Sequence, residues 1–173
     1  MKKYHSMMAM LALMVAAFGF VACGSDDDEY ENGSEKTSSS LTVITSSGDK
    51  YILLTEKDGY EDNIGNLTNS GTIWCFLRKE NTSNTVYLHI YLNKEGMTIK
   101  DFPNGHDLGQ PTLNFGLLRT YTNEYDYLSG SIMVIQNNEN SFVLDFKNYS
   151  AQNESGKRIT INGKLKVVNE VYY

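Results

Sequence analysis

The sequence of 173 residues has little cysteine and no excess of basic residues, and each shortage excludes a kind of protein. Two cysteines are too few for a disulfide-rich scaffold or a four-cysteine zinc site. Acidic residues outnumber basic ones by 21 to 15, and no basic cluster interrupts this excess. Because a protein that binds a phosphate backbone needs clustered Lys and Arg, we expect no nucleic-acid partner.

Motifs that identify common enzyme classes are also missing. The sequence has no Gly-x-Ser-x-Gly elbow, no Gly-x-Gly-x-x-Gly or Walker-type phosphate loop, and no His-Glu-x-x-His metal motif. Only His89 and His106 lie beyond the first segment. The sequence therefore predicts no metal and no cofactor and favours a protein that is not an enzyme, although acid–base chemistry by carboxylates alone stays open.

Long apolar runs are absent as well, since none reaches the roughly 20 residues that a membrane-spanning helix needs. The longest apolar run covers residues 7–21, follows the charges of Lys2 and Lys3, and ends just before Cys23. A charged start, a short apolar run and a small residue before the cleavage point are typical of a secretory signal peptide. We assign this signal peptide to residues 1–22.

The residues Phe20, Val21, Ala22 and Cys23 resemble the lipobox of bacterial lipoproteins. Ala22 and Cys23 match it, whereas Phe20 stands where Leu is most common, as in the relaxed lipobox of Bacteroidota lipoproteins. The resemblance implies that Cys23 becomes the first residue and carries acyl chains such as palmitate. Two or three chains anchor a protein firmly, whereas one holds it only marginally. The alternative is ordinary secretion with Cys23 as an unmodified thiol.

An acidic stretch at residues 24–29 follows Cys23 directly. It resembles the export signal of Bacteroidota surface lipoproteins, which implies an outer-membrane location with the domain facing the cell exterior. The alternative is a solvated acidic linker that carries no address. Residues 23–40 have no aliphatic side chain. We expect a disordered tether there, because so little apolar surface cannot offset the entropy of ordering.

Residues 41–173 alternate repeatedly between apolar and polar side chains, as half-buried strands do. Segments rich in Asn, Asp, Ser and Gly separate the alternating runs and are typical of hairpin turns. The pattern predicts a single all-β domain, antiparallel because its connections are short, and closed as a sandwich or a barrel. We place eight or nine strands near residues 41–46, 50–55, 72–79, 85–93, 97–101, 113–120, 130–136, 141–149 and 158–168.

The last three predicted strands, at residues 129–165, resemble the closing strands of several small Bacteroidota lipoprotein domains. The resemblance rests on strand alternation and on glycines such as Gly130 and Gly163. It implies an antiparallel sandwich or a calycin-like barrel, and most of those domains have no known function.

Two groups of tyrosines make up the candidate binding surface, one on a predicted strand and one just before another. The candidate residues are Tyr87, His89, Tyr91, Tyr121, Tyr125 and Tyr127. Aromatic rings on a rigid sheet suit stacking on sugar faces, and tyrosine is enriched at interfaces. Tyrosine also has a high strand propensity, which explains such rings without any ligand. Our leading hypothesis is a surface lipoprotein that binds a glycan or protein partner without catalysis.

Two other functions stay open. A calycin-like barrel would carry a small apolar ligand in a cavity lined by Leu88, Ile90, Phe115, Phe142 and Leu144. A secreted hydrolase would use Asp101 and Asp107 as acid and base, or hold a metal with His106 between them in sequence. Turn chemistry alone also accounts for this loop, which is rich in Pro, Asn, Gly and Asp.

Two further features have plain structural interpretations. Cys75 lies inside the apolar run 73–77 without a neighbouring base, so we expect a buried structural thiol. Residues 58–63 offer several oxygen ligands for calcium but lack the EF-hand spacing, so we expect a solvated loop.

Overall fold

The computed structural model describes residues 39–54, 64–117 and 123–169. The signal peptide, Cys23, most of the tether, the loop at 58–63 and Tyr121 lie outside these residues. Within the described ranges there is one turn of 3-10 helix, Ile99–Asp101, and no helix that is long and apolar enough to cross a membrane. The nine strands of the described residues are β1 (Thr42–Thr45), β2 (Lys50–Leu53), β3 (Gly65–Leu67), β4 (Thr72–Lys79), β5 (Thr85–Tyr91), β6 (Thr112–Gly116), β7 (Glu124–Asn137), β8 (Ser141–Gln152) and β9 (Arg158–Asn169).

Eight of these strands form a closed antiparallel barrel. The order around the wall is β1-β2-β4-β5-β6-β7-β8-β9, and β9 pairs back to β1 with Val43 opposite Ile161. The all-β prediction is confirmed, and the open choice between sandwich and barrel is settled as a barrel. Closure gives every strand two neighbours and buries one face of the sheet, which satisfies both the backbone and the apolar side chains.

The ninth strand, β3, fills the part of the wall that the short strands β1 and β2 leave open. β1 pairs with the beginning of β9, whereas β3 pairs in parallel with its end, where Gly65 lies opposite Val167. On the other side, β2 and β3 pair with successive halves of β4. The sequence did not predict β3, because three residues are too few to show an alternation.

Alternate side chains along each strand fill the barrel with apolar groups. On β4 the buried residues are Ile73, Cys75 and Leu77, and the residues between them are only half-buried. Burial raises the pKa of the Cys75 thiol to about 12. The interpretation of Cys75 as a buried structural thiol is therefore confirmed, since a reactive cysteine needs a lowered pKa and some exposure.

Bulges bend the three long strands around the barrel. The pairing of β7 with β8 shifts register between Tyr127 and Ser131, and β8 shifts against β9 at the same level. Gly130 has φ +92°, and a Cβ there would collide with the carbonyl oxygen of Asn148. Because a bulge adds a residue to one strand and bends it, strands of this length can follow a curved wall.

The strand predicted at residues 97–101 is wrong, because this segment forms the 3-10 turn Ile99–Asp101 instead. Ile99 and Phe102 are buried, and the ring of Phe102 stacks on that of Phe142 with 4.4 Å between centroids. The side-chain amide of Asn137 donates to the carbonyl oxygens of Ile99 and Phe102, at 2.7 and 2.6 Å. Alternating apolar residues here anchor a turn on the core, rather than marking a strand.

The bounds of other predicted segments also differ. β6 ends at Gly116, and residues 118–120 of the strand predicted at 113–120 lie outside the described residues, whereas β8 continues past 149 to Gln152. The strand predicted at 130–136 begins at Glu124, because the bulge interrupts its alternation. Ser39 and Ser40, assigned from sequence to the tether, already bond to β9: the Oγ of Ser39 accepts the N–H of Lys166, and the N–H of Ser40 donates to Lys164. Hydrogen bonds of this kind need no apolar side chain, so the composition did not indicate them.

Candidate functional site

Five aromatic side chains lie together on the outer face of β4 and β5. Three of them were predicted from sequence as a binding surface, and two come from the neighbouring strand. We call the five the aromatic cluster, and its members are Trp74, Phe76, Tyr87, His89 and Tyr91. The alternation places them there, because the residues between them on both strands point into the barrel.

Cross-strand pairing brings the cluster together. Trp74 lies opposite His89, and Phe76 lies opposite Tyr87. The ring centroid of Phe76 is 5.2 Å from that of Trp74 and 4.5 Å from that of Tyr87. Along β5, the ring of His89 is 6.0 Å from Tyr87 and 6.2 Å from Tyr91. Such ring pairs add about 0.5–1.5 kcal/mol each beyond area burial, so the cluster is held in one arrangement.

The cluster is half-buried, and this changes the chemistry of its histidine. Desolvation lowers the pKa of His89 below its usual value. The imidazole is therefore neutral at pH 7, with one ring nitrogen that donates a hydrogen bond and one that accepts. The cluster itself thus carries no charge at this pH.

Two asparagines border the cluster in the same row of the sheet. Asn66 on β3 lies opposite Trp74, and Asn114 on β6 lies opposite His89. Both are half-buried and face outward, because their strand neighbours are buried. Within the part of the chain that the structure describes, neither side-chain amide makes a hydrogen bond. Hydrogen-bond donors and acceptors on both sides of the aromatic rings can therefore bond to a ligand.

Trp74 and Phe76 were missed at the sequence level. The run 73–77 is apolar throughout, and only the burial of Cys75 was predicted from it. A signal was present in the two-residue period: with Cys75 in the interior, the residues on each side of it have to face outward. The sequence did not show that Trp74 and Phe76 would lie next to the rings of β5, because that depends on the pairing of the two strands.

Tyr121 of the second group lies outside the described residues, and Tyr125 and Tyr127 do not join the cluster. Tyr125 is only 5% exposed and faces the barrel interior. Tyr127 is half-buried, and its ring packs on that of the buried Tyr149 at 5.5 Å between centroids. A binding role through an open ring face, as predicted for this group, does not fit the position of Tyr125. The candidate surface therefore rests on β4 and β5.

The two carboxylates of the hydrolase hypothesis are both engaged in local turns. Asp101 accepts hydrogen bonds from the backbone N–H of Thr98 at 2.8 Å and from its hydroxyl at 3.1 Å, and these bonds lower the pKa of Asp101. Asp107 accepts the N–H of Gly109 at 2.9 Å. A general acid needs a raised pKa, so the shift at Asp101 has the opposite sign. Among the described residues, no group of three His, Cys, Asp or Glu side chains is placed to hold a metal.

The residues predicted to line a ligand cavity all face the interior. They are at most 5% exposed, namely Leu88, Ile90, Phe115, Phe142 and Leu144. Aromatic neighbours contact two of them: Tyr51 meets Phe115 edge to face at 5.0 Å, and Phe102 stacks on Phe142. The interior of an eight-stranded barrel is just wide enough for side chains to fill or for one small ligand.

Comparisons with protein-family models, curated proteins and solved structures found no match to this chain. The chemistry of the side chains is therefore the basis for a function.

Proposed function

We propose that this protein is a lipoprotein anchored in the outer membrane through Cys23, whose β-barrel faces the cell exterior and binds a glycan or protein partner without catalysis. The observation that carries the binding role is the aromatic cluster on the outer face of β4 and β5. The motif at residues 20–23 and the acidic stretch after it support the anchor and the location.

The cluster has the properties of a binding surface. Its rings already touch one another, so a ligand that contacts them immobilises few additional side chains, and preorganisation of this kind favours affinity. Aromatic residues dominate the energetics of interfaces, with Trp and Tyr most prominent. The cluster contains one Trp and two Tyr and is bordered by the two outward amides, whereas Asp101 and Asp107 of the hydrolase hypothesis accept hydrogen bonds within local turns.

The binding role is tested by photo-crosslinking on intact cells. A photoreactive residue replaces Tyr87 or Tyr91 in the full chain, and matched controls place it at Leu128 or Ile135, which are 46% and 39% exposed on β7. We expect adducts from the β5 positions and none from β7. Equal adducts from both strands, or no adduct from β5, would contradict the proposal.

The location is tested by protease treatment of intact cells, with a Cys23→Ala variant as the control for anchoring. We expect loss of the domain on untreated cells, and release of the Cys23→Ala protein from the membrane fraction. Protection of the domain until the cells are lysed would place it inside the envelope and remove the exterior part of the proposal.

A second candidate is a carrier of one small apolar ligand, and the closed eight-stranded barrel is the observation that favours it. Phe102 and Phe142, which are stacked and fully buried, would then border the ligand. Native mass spectrometry of the full chain purified from its own cells tests this candidate: a bound molecule that is lost in the Phe142→Trp variant supports it, and a mass equal to that of the protein alone opposes it.

A further inference from the structure

We propose that two rings of the cluster, together with the asparagine on each side of them, form a binding site for an uncharged carbohydrate chain that crosses the strands from β3 to β6. We call this site the amide–aromatic row, and it consists of Asn66, Trp74, His89 and Asn114. The inference rests on the proposed function and narrows its ligand to a neutral glycan.

The register of four strands makes this row continuous. Asn66 lies opposite Trp74, Trp74 opposite His89, and His89 opposite Asn114. Neighbouring strands are about 4.8 Å apart, so the row is about 14 Å long. A short oligosaccharide has a comparable length. The two aromatic rings occupy the centre of the row and the two amides its ends, so a sugar chain along it meets ring faces in the middle and polar groups at both ends.

The hydrogen-bonding groups of the row match hydroxyl groups. Each amide both donates and accepts, and so does the neutral imidazole of His89. A sugar hydroxyl also does both, whereas a carboxylate or phosphate only accepts and is recognised best by Arg or Lys. None of the four side chains in the row is a cation or an anion at pH 7. The row therefore favours a neutral, hydroxyl-rich ligand over a charged one.

The difference in side-chain size between β5 and β6 also suits a sugar ring. On β6 the outward residues are Thr112, Asn114 and Gly116, and each is smaller than its partner ring on β5. The surface therefore steps down from β5 to β6. A sugar ring on this step contacts the sides of the β5 rings through its C–H groups, while its hydroxyls reach the amide of Asn114.

A protein partner fits the same surface less well. An apolar protein patch laid on the rings would bury the amides of Asn66 and Asn114, which the described chain leaves without hydrogen bonds. Buried polar groups without partners cost free energy. A hydroxyl-rich ligand supplies those partners and covers the rings at the same time, so the combination of rings and open amides favours a glycan.

The test uses the full chain, purified in detergent, in native gels that contain one polysaccharide each. The neutral probes are amylopectin, mixed-linkage β-glucan and galactomannan, and the acidic probe is polygalacturonate. We expect at least one neutral polymer to retard the protein and the acidic polymer to leave it unretarded. Trp74 is the only tryptophan in the chain, so its fluorescence should also change when the retarding polymer is added.

Variants of the row identify the site. We expect Trp74→Ala to weaken binding about tenfold or more and Asn114→Ala about fivefold. The matched control is Asn84→Ala, which removes an exposed amide in the turn between β4 and β5. Thermal unfolding of each variant checks that the barrel is intact. Full binding by Trp74→Ala, or equal losses in Asn84→Ala and Asn114→Ala, would overturn the proposal, as would retardation by no neutral polymer or by the acidic polymer alone.

The two proposals fail in different ways. If no neutral polymer binds while the Tyr87 and Tyr91 positions crosslink to a protein, the glycan inference is overturned and the binding role stands. If those positions give no adduct beyond the β7 controls and no polymer binds, both proposals are overturned.

Discussion

The hairpins β4–β5 and β7–β8 have similar inner faces and different outer ones. Both fill the barrel with alternate apolar side chains. The β4–β5 ladder is regular over its whole length, and its outer face carries five aromatic rings. The β7–β8 ladder shifts register at several points, and its outer face carries polar groups such as the ion pair of Lys147 with Asp145, whose N–O distance is 3.5 Å. The bulges of β7–β8 bend the barrel wall, whereas the regular ladder of β4–β5 holds its outward side chains in a fixed arrangement.

The largest effect should come from the bulge of the bent hairpin. Gly130→Ala places a side chain at φ +92° and against the backbone of Asn148. We expect the free energy of unfolding to fall by about 3 kcal/mol, measured by urea denaturation. The matched control is Gly105→Ala, which has φ +80° but open space around the added carbon. An equal loss of unfolding free energy in Gly105→Ala would mean that backbone strain, and not the collision with Asn148 in the bulge, destabilises Gly130→Ala.

The second largest loss of stability should come from the end of β7, where Asn137 holds the 3-10 turn against the core. Asn137→Ala removes two hydrogen bonds to the carbonyl oxygens of Ile99 and Phe102. We expect a loss of about 2 kcal/mol in the free energy of unfolding. Asn140→Ala, an exposed position in the adjacent turn, serves as the control and should change stability little. Hydrogen exchange at the amide of Phe102 should speed up only in Asn137→Ala.

Removing rings from the regular hairpin should affect stability less and binding more. For Tyr87→Ala combined with Tyr91→Ala we expect a loss of about 1–2 kcal/mol in stability, from lost ring contacts. Binding of the retarding polysaccharide should be abolished, whereas Leu128→Ala on β7 should leave it unchanged. Retained binding in the double variant would mean that the aromatic cluster does not bind the polysaccharide.

The smallest effect is a pH dependence that belongs to His89. Its pKa is lowered from 6.5 by desolvation, so the folded state resists protonation more than the unfolded state does. Stability is therefore full above pH 6.5 and falls as the pH drops below it, until the folded state is protonated too. We expect His89→Gln to flatten this part of the stability curve, measured as urea midpoints between pH 7 and 4.5. An unchanged slope would contradict a desolvated His89.

The two hairpins also differ in how well their strands are predicted from sequence. The regular strands β4 and β5 were located within two residues, because a two-residue alternation marks a half-buried strand. The bend of β7 interrupts that alternation, so its first residues were missed. Closure into a barrel depends on the pairing of β1 with β9, which no local pattern records. Which strand lies beside which also decided the site, since Trp74 meets His89 only through the register.

Pairing of β1 with β9 also has a consequence for how the protein matures. In this pairing Val43 lies opposite Ile161, and just before β1 the hydroxyl of Ser39 accepts the N–H of Lys166, 127 positions further along the chain. A chain that emerges from a ribosome or a translocation channel with its amino end first holds β1 without this partner until β9 has appeared. Contacts so distant in sequence form slowly. Among the described strands β9 is the last to emerge, so the barrel cannot close before β9 has left the channel and paired with β1.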